Sequence, residues 1–132
     1  MQLEWTLDKS RPVCPQIAEQ VCVRIVTGEF RPSEKLLSVR EVALAAGVNP
    51  NTVQKAFETL ERQGILYSLR GSGWYVSDDP SAAGATLTSL IESTTADYFN
   101  QMTRFGLTDH EIRQYVSLFR REKAPTERNE TE

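Results

Sequence analysis

Residues 47–55, "GVNPNTVQK", place three side-chain amides, a hydroxyl and an ammonium group within one short stretch. Asn and Gln amides can pair with adenine through two hydrogen bonds, and lysine can donate to guanine. Which of these groups face outward depends on how the following helix is rotated. Val53, Ala56, Phe57 and Leu60 recur at i, i+3, i+4 and i+7, an apolar arc that must turn inward. Asn51, Lys55, Glu58 and Arg62 then centre the outer face, with Thr52 and Gln54 at its flanks. Asn49 suits the N-cap and Pro50 the first helical position, where its missing N–H is no loss. Unpaired N–H groups at such a start attract a phosphate. Glu58 and Arg62, four apart, are expected to pair with each other. The same residues also make a plain cap on a solvated helix face, so their neighbours in the chain must decide between the two readings.

Those neighbours are informative. A first helix follows Pro15, with Ile17, Val21 and Ile25 on one face, and Gly28 ends it. "FRPSEKLL" reads as a turn. Ser38-x-x-Glu41 is a capping box opening a second helix, whose apolar side is Val42, Ala43, Leu44 and Ala46 and which Gly47 stops. After the third helix ends at Gly64, "ILYSL", "RGSG" and "WYVS" read as two short strands around a glycine turn. Two helices joined by a tight turn and followed at once by a hairpin is the order of a winged helix-turn-helix, whose later helix enters the DNA major groove. Arg40 at the front of the second helix, and Arg70-Gly71 at the hairpin tip, add basic groups able to approach phosphates or the minor groove.

The run from Glu34 to Val76, "EKLLSVREVALAAGVNPNTVQKAFETLERQGILYSLRGSGWYV", resembles the DNA-binding domain of the GntR family of bacterial transcription regulators. Ser38-Val39-Arg40-Glu41 and Val48-Asn49-Pro50-Asn51-Thr52-Val53 are similar to its YtrA subfamily. The resemblance covers roughly residues 12–77 closely, and the short helical part that follows also suits the subfamily. It implies DNA contacts at Arg40, at Asn49, Asn51, Thr52, Gln54 and Lys55, and at Arg70 and Gly71. It further implies a dimeric repressor, of the kind associated with operons for ABC-type transporters. Four residues depart from the pattern: Ser33 stands for glycine, Leu37 for proline, Ser72 for a basic residue and Trp74 for threonine.

The rest of the chain sets limits. Net charge is −3, but residues 1–77 hold nine Lys/Arg against eight Asp/Glu, and residues 78–132 hold six against ten. The acidity sits in the second part, which leaves the first free to face nucleic acid. Neither a signal peptide nor an apolar run of membrane length is present, so a cytoplasmic protein is expected. Cys14 and Cys22 have no zinc spacing and are expected to be reduced. His110 lacks a nucleophile or ligand partner, and neither an enzyme, a metal nor a cofactor is expected.

"DDPSAAGA", residues 78–85, reads as a linker. A fourth helix over about Thr86 to Phe105 carries Leu87, Leu90, Ile91, Tyr98, Met102 and Phe105 on one side. A fifth opens on the capping box Thr108-x-x-Glu111, with Leu107 and Ile112 placed as a hydrophobic staple and Tyr115, Val116 and Phe119 continuing its apolar face. Such a face is too large to leave open on a monomer; a homodimer interface is expected there, with folding back onto the first helix as the alternative.

The expected fold is mainly α with a small β-hairpin. It comprises a winged helix-turn-helix over 1–77, the linker, a two-helix dimerisation region over 86–122 and a disordered tail over 123–132. The partners expected are a double-stranded DNA operator and a second copy of the chain, with a small-molecule effector left open. The alternative is a winged-helix module that binds protein and not DNA, for which Arg40 and Lys55 would be dispensable.

Overall fold

The computed structural model describes residues 4–123. Helix α1 spans Val13–Val26, α2 Val39–Ala46 and α3 Pro50–Arg62; strands β1 (Leu66–Leu69) and β2 (Gly73–Val76) follow, then α4 (Ser81–Arg104) and α5 (Asp109–Lys123). Two compact units divide the chain, one through Ser89 and one from Leu90. The tail expected over 123–132 lies, but for Lys123, outside the described residues.

In the first unit α3 packs against both α1 and α2. Its arc of Val53, Ala56, Phe57 and Leu60 is at most 1% exposed and meets Val21, Cys22 and Ile25 of α1 and Val42 and Ala43 of α2 in one core. Burial pushes the Cys22 thiol up to about 11, with Glu19 adding to it, so this cysteine stays protonated. Leu44, expected on the buried side of α2, is instead 86% exposed. An eight-residue helix with Val42, Ala43 and Ala46 turned inward has no room for it on that face.

Strands β1 and β2 pair antiparallel, with Leu66 opposite Val76 and Tyr67 opposite Tyr75. Leu66 and Val76 point into the core, and Trp74 meets Phe57 of α3 edge-on at 5.5 Å. On the other face Tyr67 and Tyr75 stack at 5.5 Å. The segment read as a turn does more than reverse the chain. Lys35 bridges Tyr75, Ser33 N–H donates to Val76 O, and Leu36 N–H donates to Trp74 O, so the segment flanks β2 on its free edge.

Residues before α1 are tied down by two glutamines. Gln16 Oε1 accepts from Asp8 N–H at 2.7 Å while its Nε2 donates to Asp8 O at 2.8 Å. Gln20 engages the N–H and C=O of Thr6 in the same way. Two residues of extended chain rise about 6.6 Å and four of helix about 6.0 Å, so the two repeats run in step. Arg24, one further turn along α1, lies 3.9 Å from the Trp5 ring and pairs with Glu29 at 3.5 Å. Its burial lowers the guanidinium pKa, and Glu29 opposes that shift.

The stretch 78–85, expected as a linker, is helical from Ser81. The Asp79 carboxylate accepts from Ser81 N–H at 3.0 Å, a bond that holds its pKa down, and Ala83 is buried in the core of the first unit. An Asx-type start followed by alanines outweighs the glycine in this short run. In the second unit Thr108 and Glu111 form the expected reciprocal cap of α5, and Ile112 is fully buried.

Ser33 has φ +66° and follows Pro32 in a turn closed by Glu34 N–H to Arg31 O at 3.0 Å. This is the position of a type II turn that favours glycine. Its hydroxyl donates to the Asp78 carboxylate. Ser33→Ala keeps the backbone strain and loses that bond, whereas Ser33→Gly loses the bond but releases roughly 1 kcal/mol of left-handed strain. Urea unfolding should therefore find the Gly variant more stable than the Ala variant by about 1 kcal/mol. Equal stabilities would show that the turn stores no strain.

Candidate nucleic-acid interface

The start of α3 is built by Asn49. Its Oδ1 accepts from Asn51 N–H at 2.8 Å, and its carbonyl accepts from Thr52 N–H at 2.9 Å and Val53 N–H at 3.4 Å. Pro50 has no N–H to offer. The expectation of free amides for a phosphate at this end is thus corrected: every first-turn donor already has a partner. What α3 presents here is side chains.

Asn51 and Lys55 are exposed, and Thr52 and Gln54 are half-buried at the flanks, in the order the apolar arc dictates. The expected Glu58–Arg62 pair does not form. Gln54 Nε2 donates to Glu58 Oε2 at 2.9 Å, and Arg62 donates to Thr59 Oγ1 at 3.1 Å. Thr59 in turn donates to the Lys55 carbonyl at 3.0 Å. Both groups of the predicted pair found a nearer partner on the same helix. The i, i+4 spacing of Gln54 and Glu58 was the signal available in the sequence.

Arg40 is exposed at the second residue of α2. The capping box holds with both bonds, Glu41 N–H to Ser38 Oγ at 3.1 Å and Ser38 N–H to Glu41 Oε1 at 2.8 Å. Arg40 and Pro50 border one apolar groove with Leu44 and Val48, which brings the front of α2 beside the start of α3. At the hairpin tip Ser72 N–H donates to Leu69 O at 2.9 Å, and Gly71 takes φ +77° at the third turn position. Arg70 is exposed beside it. Of the two unusual wing residues, Ser72 bonds the Tyr75 hydroxyl and Trp74 turns inward onto Phe57. Trp74 thus anchors the hairpin to α3 and takes no place on its outer surface.

Three helices with a capped, polar-faced α3 and a basic two-stranded wing define a winged helix-turn-helix. Residues 15–76 match the bacterial regulatory proteins, gntR family. The chain is 37% identical to the HTH-type transcriptional repressor YtrA of Bacillus subtilis, over 76% of this chain and 73% of that one. A GntR family transcriptional regulator from Listeria monocytogenes has a similar structure, with a TM-score of 0.72 and 33% identity over 84% of this chain and 97% of that one. The AraR DNA-binding domain in complex with operator ORX1 aligns with a TM-score of 0.50 and 30% identity, over 58% of this chain and 93% of that one. The chain belongs to the GntR family of transcriptional regulators. No helix among the described residues is long and apolar enough to cross a membrane.

The cap of α3 can be tested apart from any DNA. Asn49→Ala removes the acceptor of Asn51 N–H and should lower stability by about 1 kcal/mol, while Asn49→Asp keeps it. Thermal melts of both variants check this. An Ala variant as stable as the parent would mean that the side chain does not set the helix start.

Proposed function

We propose that the chain is a sequence-specific DNA-binding transcription regulator that acts as a dimeric repressor on a pseudo-palindromic operator. One observation carries this reading. With its apolar arc buried, α3 turns Asn51, Thr52, Gln54 and Lys55 away from the core, and Arg40 at the front of α2 and Arg70 at the wing tip are exposed as well. Asn51, Gln54 and Lys55 are the readers of base edges, and Thr52 supports them. Asn49 holds the start of the helix against the backbone, and Arg40, Arg70 and the Gly71 backbone take phosphates. The repressor name of the Bacillus relative and the operator-bound AraR structure support the same reading. The resemblance to YtrA-type regulators extends the proposal to an ABC-transporter operon as the regulated unit.

The second copy follows from the apolar side chains of α4 and of Phe105 just after its end. Ile91 is 56% exposed and Phe105 68%, Tyr98 is exposed as well, and Leu87, Leu90 and Met102 are half-buried. We assign these six to a homodimer interface. Two copies place two α3 helices on one duplex.

Binding assays on duplex DNA from the gene's own upstream region separate the roles. Asn51→Ala should lose about 1–3 kcal/mol on the operator and flatten the preference for it over mutated sites. Arg40→Ala should weaken specific and random DNA alike and reduce the logarithmic salt slope by roughly one unit. Unchanged preference in the first and an unchanged slope in the second would favour the protein-binding module instead.

Assembly is tested by a chain ending at Ser89, because Ala83 belongs to the core of the first unit and a cut after Ser77 would remove it. This piece should be monomeric in sedimentation and bind a full operator about 100-fold more weakly than the whole chain, with half-site affinity little changed. A shortened chain that remains dimeric would move the interface out of α4.

A further inference from the structure

Among the residues that centre the outer face of α3, Glu58 carries the charge that works against DNA. It is exposed, one turn beyond Gln54, and Arg62, the cation expected to pair with it, donates to Thr59 instead. A carboxylate aimed at a phosphate backbone weakens binding to any sequence. Among the described residues its side chain accepts one hydrogen bond, from Gln54 Nε2 at 2.9 Å.

That bond has a directional consequence. An ionised carboxylate only accepts, so it admits the NH2 end of the Gln54 amide and excludes the oxygen. A glutamine without this neighbour can turn over, or aim both of its Nε2 hydrogens at a pair of acceptors. Adenine presents one acceptor and one donor in the major groove, whereas guanine presents two acceptors. Nε2 carries two hydrogens. With the one pointing away from Oε1 given to Glu58, the one beside Oε1 remains for adenine N7 while Oε1 accepts from adenine N6. The two uses of the amide are compatible.

We propose that Glu58 is a positioning residue that holds the Gln54 amide in the order adenine requires, and so sets the preference for adenine over guanine at the base pair Gln54 faces. This rests on the DNA-binding reading above and adds a specificity element to it.

The test uses the full-length chain and a pool of duplex DNA with a randomised segment, from which bound sequences are selected and read. Gln54→Ala should erase the adenine preference at one base pair of each half-site. Glu58→Ala should lower adenine-over-guanine discrimination at that same pair roughly tenfold, within the range one two-pronged contact is worth. It should also tighten binding to random DNA, since a negative charge is gone. Glu58→Gln, whose amide can accept or donate, no longer excludes the oxygen end of Gln54 and should lose most of the discrimination as well. The proposal is overturned if Glu58→Ala leaves that preference intact. It is equally overturned if the change falls at a different pair, which would make Glu58 itself a reader of cytosine. If Gln54→Ala moves no preference, the inference falls alone, because preferences lost in Asn51→Ala keep α3 as the reading helix.

Discussion

The rotation of α3 about its own axis is the constraint on which the site depends. Val53, Phe57 and Leu60 are buried to within 1%, and burying a side chain of this size is worth roughly 1.5–3 kcal/mol relative to leaving it in water. Turning the helix by one residue position would expose part of that set and bury a polar group in its place. No polar contact on the outer face approaches this sum. The core therefore chooses which residues meet the outside, and the Asn49 cap fixes where along the axis the first of them stands.

The wing is held to the same helix by a second apolar device. Trp74 lies edge-on to Phe57, and the segment through Lys35 pairs with β2 from the other side. A two-stranded hairpin is marginal by itself in water. Here its inner face is core and its outer edge is partnered, so the tip around Arg70 is carried on a supported base. Before α1, the glutamine rungs give backbone groups of an arm the partners that a neighbouring strand otherwise would. Both devices tie a segment without regular pairing of its own to a helix.

Much of this was legible in residue order. The three-helix-and-hairpin plan, the Ser38 and Thr108 caps, the Asn49-Pro50 start and the buried arc of α3 follow from spacing rules that act within a few residues. What escaped was settled by choices among near-equal neighbours or by distant contacts. Glu58 had two partners at i±4 and took Gln54. Leu44 has the chemistry of a core residue and lost its place to Val42, Ala43 and Ala46 on a short helix. The pairing of Lys35 with Tyr75 joins residues forty apart and leaves no local pattern. The helical start at Ser81 hid behind a glycine and a Ser/Ala composition that reads equally well as a linker.

The Asn49-Pro50 pair bears on the chemical lifetime of the molecule. Asparagine ages mainly when the peptide nitrogen of the next residue attacks the side-chain amide, closing a five-membered ring that opens to aspartate or its isomer. Proline's nitrogen carries no hydrogen and is already bonded to three carbons, so it cannot make that attack. Asn49 is the one asparagine of this chain that precedes proline; Asn51, Asn100 and Asn129 precede Thr, Gln and Glu. The residue that locates the outer face of α3 is thereby closed to the commonest spontaneous damage of its kind, and its amide should outlast the others as the protein ages.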